Sequence, residues 1–186
     1  MIAPGTAEFY ELKVAGLTRR LKKVRVAEHL VIASFVMLGD TKLIEASADA
    51  LLPLLPKDKI DMLVCLEAKG IPLTHALAVR LGVDYVTVRK SVKSYMEDPL
   101  VVEVQSITTA GTQLLVMDGV DRAKVEGRRI CVVDDVVSTG GSLRSVEKLL
   151  EAANAEVVAK TAVLLEEGGY DGQDLVYLER LPVFPD

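Results

Sequence analysis

The chain has 186 residues, half of them apolar, which fits one α/β domain with a small appendage and suffices for a sizeable core. Its formal net charge of −5 argues against a general affinity for nucleic acid, and the start of the chain, with Pro4, Gly5 and Glu8, lacks the basic and then apolar stretch of a signal peptide. No apolar run approaches about 18 residues, so neither a transmembrane helix nor a membrane partner is expected; Cys65 and Cys131 sit in apolar runs and read as buried free thiols of a reducing, cytoplasmic setting.

Residues 8–35 alternate as strands do, and Ala15-Gly16 between Val14 and Leu17 predicts a hairpin. The basic cluster from Thr18 to Arg25, with Arg19, Arg20, Lys22 and Lys23, reads either as a solvated strand face or edge, or as an anion or partner surface. Asp40 or Thr41 caps a helix through Leu43, Ile44, Ala46, Ala50 and Leu52 that Pro53 and Pro56 stop. Ile60 to Leu66 is a buried strand, Glu67-Ala68-Lys69-Gly70 a loop, and Pro72 opens a helix that ends at Gly82. Tyr85 to Val88 is the next strand, with Arg89 and Lys90 leaving its end. Residues 91–111, polar and mixed with Pro99, predict a long, partly extended loop. Strands follow at Gln113 to Met117, Ile130 to Val133 and Val157 to Leu165, with a helix from Leu143 to Ala153 and a closing edge segment from Leu175 to Val183. Strands alternating with helices imply a parallel sheet, a segment 1–40 standing apart as a small N-terminal unit and residues 41–186 as the α/β core.

In such sheets ligands gather beyond the C-terminal strand ends, and three polar loops converge there: Glu67 to Gly70, Arg89 to Lys93 and Asp134 to Ser142. The third is the most informative stretch of the chain. An apolar β-branched run ends in Asp134 and Asp135, and Ser138-Thr139-Gly140-Gly141-Ser142 follows at a helix start. Hydroxyls and unobstructed backbone N–H groups at a helix N-terminus make an anion site, most naturally for a phosphate monoester. The paired carboxylates stand about where the vicinal hydroxyls of an attached sugar would lie. His29 and His75 are isolated, with His75 read as a packing or capping residue, and no His/Cys cluster suggests zinc.

The run from Ile130 to Ser142 resembles the phosphoribosyl pyrophosphate signature of the type I phosphoribosyltransferases: apolar residues, Asp-Asp, two apolar residues, a small residue, Thr-Gly-Gly and Ser. Glu67-Ala68-Lys69-Gly70 is similar to the pyrophosphate loop of that family, and Arg89-Lys90 with Lys93 resembles the Arg-Lys pair and following Lys of its adenine-type members. The resemblance covers roughly residues 36–165. It implies the family's parallel-sheet α/β fold with residues 1–40 as the hood, and transfer of phosphoribose from phosphoribosyl pyrophosphate to a purine, adenine favoured, in purine salvage by a cytoplasmic homodimer. It also implies a role for each matching residue. Asp134, Asp135 and Arg89 would carry catalysis. Ser138, Thr139, Gly140, Gly141 and Ser142 would bind the 5-phosphate, with Val136 and Val137 beside them as substrate-binding residues. The loop Glu67, Ala68, Lys69 and Gly70 would hold the pyrophosphate, taken by Lys69, Arg89 and Lys93, with Lys90 a further substrate-binding residue. Mg²⁺ would be held mainly through the substrate pyrophosphate, without a dedicated protein metal site. Ser94 to Ala110 would be the loop that folds over the site, with Tyr95, Glu97, Asp98, Ser106 and Thr108 as polar candidates. Where adenine enzymes usually carry Leu-Glu-Tyr-Gly, this chain reads Ile107-Thr108-Thr109-Ala110-Gly111, and Val104 to Thr108 is somewhat similar to bacterial xanthine enzymes. A xanthine- or hypoxanthine-type transferase and a non-catalytic sensor of phosphoribosyl pyrophosphate are therefore the alternatives.

Overall fold

A computed structural model describes residues 8–105 and 112–185. Its centre is a five-stranded, all-parallel sheet formed by β4 (Met62–Leu66), β5 (Tyr85–Val88), β8 (Arg129–Val137), β9 (Glu156–Glu166) and β10 (Val176–Leu181), in the order β10-β9-β8-β4-β5. The period-2 alternation of these strands divides two cores. Leu63, Cys131 and Val133 point to one face, where α1 (Thr41–Leu51) and α2 (Ile71–Leu81) pack. Met62, Val64, Ile130 and Val132 point to the other, against α4 (Gly141–Ala152). Leu143, Val146, Leu149 and Leu150 form the buried stripe of α4, each adding about 1.5–3 kcal/mol by leaving water. Among the described residues Cys65 and Cys131 are free and buried, as expected.

Local signals account for the helix ends. Asp40 caps α1, its Oδ1 accepting the Leu43 N–H at 3.1 Å. Pro lies in the first turn of α2, and Gly82 closes that helix with φ of 69°.

A second, four-stranded antiparallel sheet comprises β1 (Phe9–Val14), β2 (Leu17–Ala27), β3 (Leu30–Ser34) and β11 (Val183–Pro185). Ala15 and Gly16, at φ of 50° and 73°, make the hairpin turn between β1 and β2. The basic cluster lies on β2, which is flanked on both sides and so is no edge. Arg19 reaches Asp40, Arg20 stacks 4.4 Å over the Phe9 ring, and Lys23 stands 3.8 Å over that of Phe184.

Four expectations from the sequence need correcting. Residues 91–111 are not one long loop: β6 (Leu100–Gln105) pairs antiparallel with β7 (Thr112–Met117), and only 106–111 between them lie outside the described residues. α3 (Gly119–Val125) follows β7 where no element was expected. The closing segment divides at Pro182, β10 edging the parallel sheet and β11 joining the antiparallel one. Finally, β8 does not stop at Val133; it runs on through both carboxylates to Val137, because β9 stays hydrogen-bonded beside it as far as the Val137–Leu165 pair.

Candidate active site

The chain folds from β4 to β5 in one direction and from β8 to β9 and β10 in the other, so the sheet reverses its winding between β4 and β8. That switch point opens a crevice at the C-terminal strand ends, and the loops after β4 and β8 flank it. Their approach is close: a Cβ on Gly70 would lie 3.3 Å from Asp134 Cα and 3.4 Å from the Val133 carbonyl oxygen. Glycine at 70 is what lets the first loop lie against the strand bearing the paired acids.

The loop after β8 surrounds a pocket of about 100 Å³ lined by Asp134, Val136, Val137, Ser138, Thr139, Gly140, Gly141, Ser142 and Leu143. Gly140 adopts φ of 75°, where a side chain is strained, and α4 begins directly after it. The first N–H groups of α4 therefore face the pocket without intrahelical partners. Thr139 Oγ1 accepts the Gly141 N–H at a long 3.4 Å. Val136 and Val137 contribute as the last residues of β8 rather than as loop residues.

Asp134 and Asp135 project from successive positions of β8. Asp135 is 5% exposed, and its Oδ2 has no hydrogen-bond partner. Asp134 Oδ1 accepts the Asp135 N–H at 2.8 Å. Burial, and then the charge of Asp135, push the Asp134 carboxyl up to about 7, with Lys69 acting in the opposite sense. Asp134 lines the pocket, whereas Asp135, one position further along β8, is buried and is not among the residues lining it. Among the described residues no group of three or more His, Cys, Asp or Glu side chains gathers to hold a metal.

The remaining cations stand on neighbouring loops. Glu67 Oε1 accepts the Lys90 N–H at 2.8 Å and Oε2 accepts from Arg89 Nη1 at 3.1 Å, which holds the Glu67 carboxyl below its ordinary range. Ala68 and Lys69 are exposed, and the Glu67–Ala68 peptide is cis. Lys93 Nζ donates to Ser91 Oγ at 2.7 Å. The expected covering loop is anchored at its start, since the Gly119 N–H donates to the Glu97 carbonyl and the Glu97 N–H to Asp118 Oδ1, each at 3.1 Å. Tyr95 and Asp98 are exposed; Ser106, Thr108 and the stretch Ile107 to Gly111 lie outside the described residues. His75 is exposed on α2, edge-on to Tyr85, away from any catalytic grouping.

Sequence reasoning missed three neighbours of the pocket. Arg144 Nη2 donates to the Thr139 carbonyl at 2.8 Å, one helical turn beyond Gly140. Ser138 Oγ donates to Glu166 Oε1, and the Tyr170 N–H donates to the Ser138 carbonyl at 2.8 Å. For Arg144 the i+4 spacing from Gly140 was a usable signal; Glu166 and Tyr170 come from a distant strand end with none.

In sequence and in fold the chain is similar to phosphoribosyltransferases of two base specificities. The profile of the phosphoribosyl transferase domain family matches residues 37–179. The hypoxanthine/guanine phosphoribosyltransferase of Methanothermus fervidus is 36% identical over 129 residues, 69% of this chain and 65% of that protein. The chain thus spans slightly less than two thirds of that relative's length. The adenine phosphoribosyltransferase of Clostridium acetobutylicum is 34% identical over 128 residues, 69% of this chain and 72% of its own length. Among solved structures, adenine phosphoribosyltransferase from Thermoanaerobacter pseudethanolicus superposes with a TM-score of 0.72 at 27% identity, covering 86% of this chain and 95% of the other. That of Saccharomyces cerevisiae, complexed with an imino-altritol bisphosphate and adenine, gives 0.65 at 25% identity, covering 78% and 84%.

Proposed function

The chain belongs to the phosphoribosyl transferase domain family, and on that premise we propose that it transfers phosphoribose from phosphoribosyl pyrophosphate to a purine base, releasing pyrophosphate and the nucleoside 5′-monophosphate. The observation that carries this reading is the pocket of backbone N–H groups beside Asp134, with the Gly70 loop lying against the same strand. A phosphate monoester fits the first, the hydroxyls of its ribose fit the acids, and a pyrophosphate on the sugar's C1′ would extend toward Lys69, Arg89 and Lys93.

In this reading the N–H groups from Thr139 to Ser142 fix the 5-phosphate without a counter-ion. Asp134 and Asp135 accept from the ribose hydroxyls and favour the positive charge that grows on the ring as the C1′–O bond breaks. Arg89 offers a fork to two phosphoryl oxygens, and Lys69 and Lys93 add point charges where the leaving group gains negative charge. Mg²⁺ would be held mainly through the substrate pyrophosphate, with the Asp134 carboxylate at the pocket wall a hard oxygen donor that suits it. When bound, the ion supplies neutralisation of the pyrophosphate charge.

Adenine is the favoured base, supported by the solved adenine enzymes that this fold resembles, one of them holding adenine. The sequence relatives favour a second reading, hypoxanthine or guanine as acceptor. Pyrophosphate release measured with adenine, hypoxanthine, guanine, xanthine, uracil and orotate decides between them. Turnover greatest with adenine is expected. Turnover confined to 6-oxopurines would replace the base assignment, and binding of phosphoribosyl pyrophosphate without turnover on any base would replace the enzyme with a sensor.

A further inference from the structure

Lys160 is 8% exposed in the middle of β9, within the apolar run from Val157 to Leu165. A lysine in a buried parallel strand is unfavourable unless its ammonium is fully paired, and an apolar residue of similar volume would pack there at least as well. Here Nζ donates to Glu147 Oε1 at 2.7 Å on α4, to the Tyr170 hydroxyl at 3.2 Å and to Asp174 Oδ2. The Tyr170 hydroxyl in turn donates to Asp174 Oδ1. None of these four side chains lines the pocket.

The network nevertheless ends on the pocket wall. A Cβ on Gly140 would overlap the Tyr170 ring, so the ring occupies the space that the glycine leaves. The Tyr170 N–H holds the Ser138 carbonyl, a Cβ on Gly169 would overlap that same carbonyl, and Glu166 takes the Ser138 hydroxyl. The connection between β9 and β10 is thus pressed along the back of the loop from Ser138 to Gly140. Lys160 also offsets one of the two negative charges that Glu147 and Asp174 bring together behind the loop.

We propose that Lys160, Asp174 and Tyr170 are positioning residues that hold the loop from Ser138 to Gly140 in its anion-binding shape. The inference rests on the phosphoribosyl reading of that loop. It assigns a role in substrate affinity to three side chains that touch neither phosphate nor sugar. A loop preorganised by the packing and hydrogen bonds behind it binds more tightly than one that orders on contact, because less conformational freedom is lost on binding.

The test is calorimetric titration of the full chain with ribose 5-phosphate. Tyr170→Leu is expected to weaken binding about tenfold, whereas Tyr170→Phe, which keeps the ring over Gly140, is expected to lose only about two- to threefold. Lys160→Met, which keeps the volume and releases the carboxylates, is expected to lose about fivefold. In turnover assays the KM for phosphoribosyl pyrophosphate should rise while the KM for the purine stays constant, a split that general loosening of the fold would not give. Wild-type affinity in folded Tyr170→Leu, or in Lys160→Met should the former not fold, overturns the positioning role while leaving the proposed function intact. Failure of the wild-type protein itself to bind ribose 5-phosphate overturns both.

Discussion

Arg89 Nη1 donates to Glu67 Oε2 at 3.1 Å, and so the loop after β4 is tied to the end of β5. The Lys90 N–H on the same carboxylate lowers the Glu67 pKa most, and the guanidinium adds to it. The guanidinium is thereby held at the crevice before any ligand arrives. The pair is part-exposed, so its contribution to stability is small and its importance lies in geometry. Arg89→Ala is expected to lower kcat/KM for phosphoribosyl pyrophosphate about 100-fold, or ~2.7 kcal/mol, with Arg89→Lys intermediate because the fork is lost. Glu67→Gln should act mainly on KM, by about three- to tenfold. Initial rates of pyrophosphate release check all three, and an unchanged rate in Arg89→Ala would remove the guanidinium from the reaction.

Asp134 sets a pH dependence with a definite sign. Its carboxyl is raised from 3.8 to about 7 in the fold, so the folded protein holds that proton more tightly than the unfolded chain does. The stability this gives is fully present below the unfolded value and is lost as the pH rises from there to about 7. Asp134→Asn removes the cost of the second charge and is expected to raise stability at pH 8 by on the order of 2 kcal/mol, with little change at pH 4. Thermal unfolding across that range checks it. The same variant should turn over poorly, as should Asp135→Asn with its fold intact, because the proposed function has these carboxylates accept from the ribose hydroxyls.

Gly140→Val tests the loop directly. The position has φ of 75°, and a side chain there would meet Arg144 Nη1 at 2.9 Å as well as the Tyr170 ring. A destabilisation of about 2–4 kcal/mol is expected from backbone strain and overpacking together. Calorimetry should also show ribose 5-phosphate affinity falling by more than about tenfold. Undiminished affinity would place the phosphate elsewhere.

Asp40 joins the two sheets' surroundings through one carboxylate. It caps α1 at the Leu43 N–H and receives Arg19 Nε at 2.6 Å and Nη2 at 3.0 Å from β2. Asp40→Ala is expected to cost ~1–2 kcal/mol in denaturant unfolding, and Arg19→Ala less than about 1 kcal/mol because the pair is partly solvated. Arg19 and the N–H of Leu43 both keep the Asp40 pKa below its usual value, so this contribution fades as the pH falls below the ordinary carboxylate range.

The parts of this fold that sequence reveals are those whose causes are local. Asp134 and Asp135 at the end of a β-branched run, Gly82 after a helical stripe, and Ala15-Gly16 between alternating strands each carry their reason within a few residues. What stayed hidden depends on distant partners. Leu100–Gln105 alternates correctly, with Val104 buried and Glu103 exposed, but Val101 on the outer face blurs the pattern and Pro99 suggests a loop. Gly119–Val125 buries only Val125, too little for a stripe. Lys160 is concealed by its apolar neighbours, since its partners Tyr170 and Asp174 sit on a connection whose path only the fold determines. The polar turn from Ser138 to Ser142 into α4 was therefore legible, and the scaffold behind it was not.

The pairing of Val183 with Ile32 and of Phe184 with Val31 gives the antiparallel sheet a second covalent attachment to the body, through Pro182 in addition to residues 35–40. Leu12, Val14, Leu21 and Ala33 of that sheet also share one buried cluster with Leu43, Leu51 and Leu77, so cutting either strap alone would still leave it glued to the body by its apolar face.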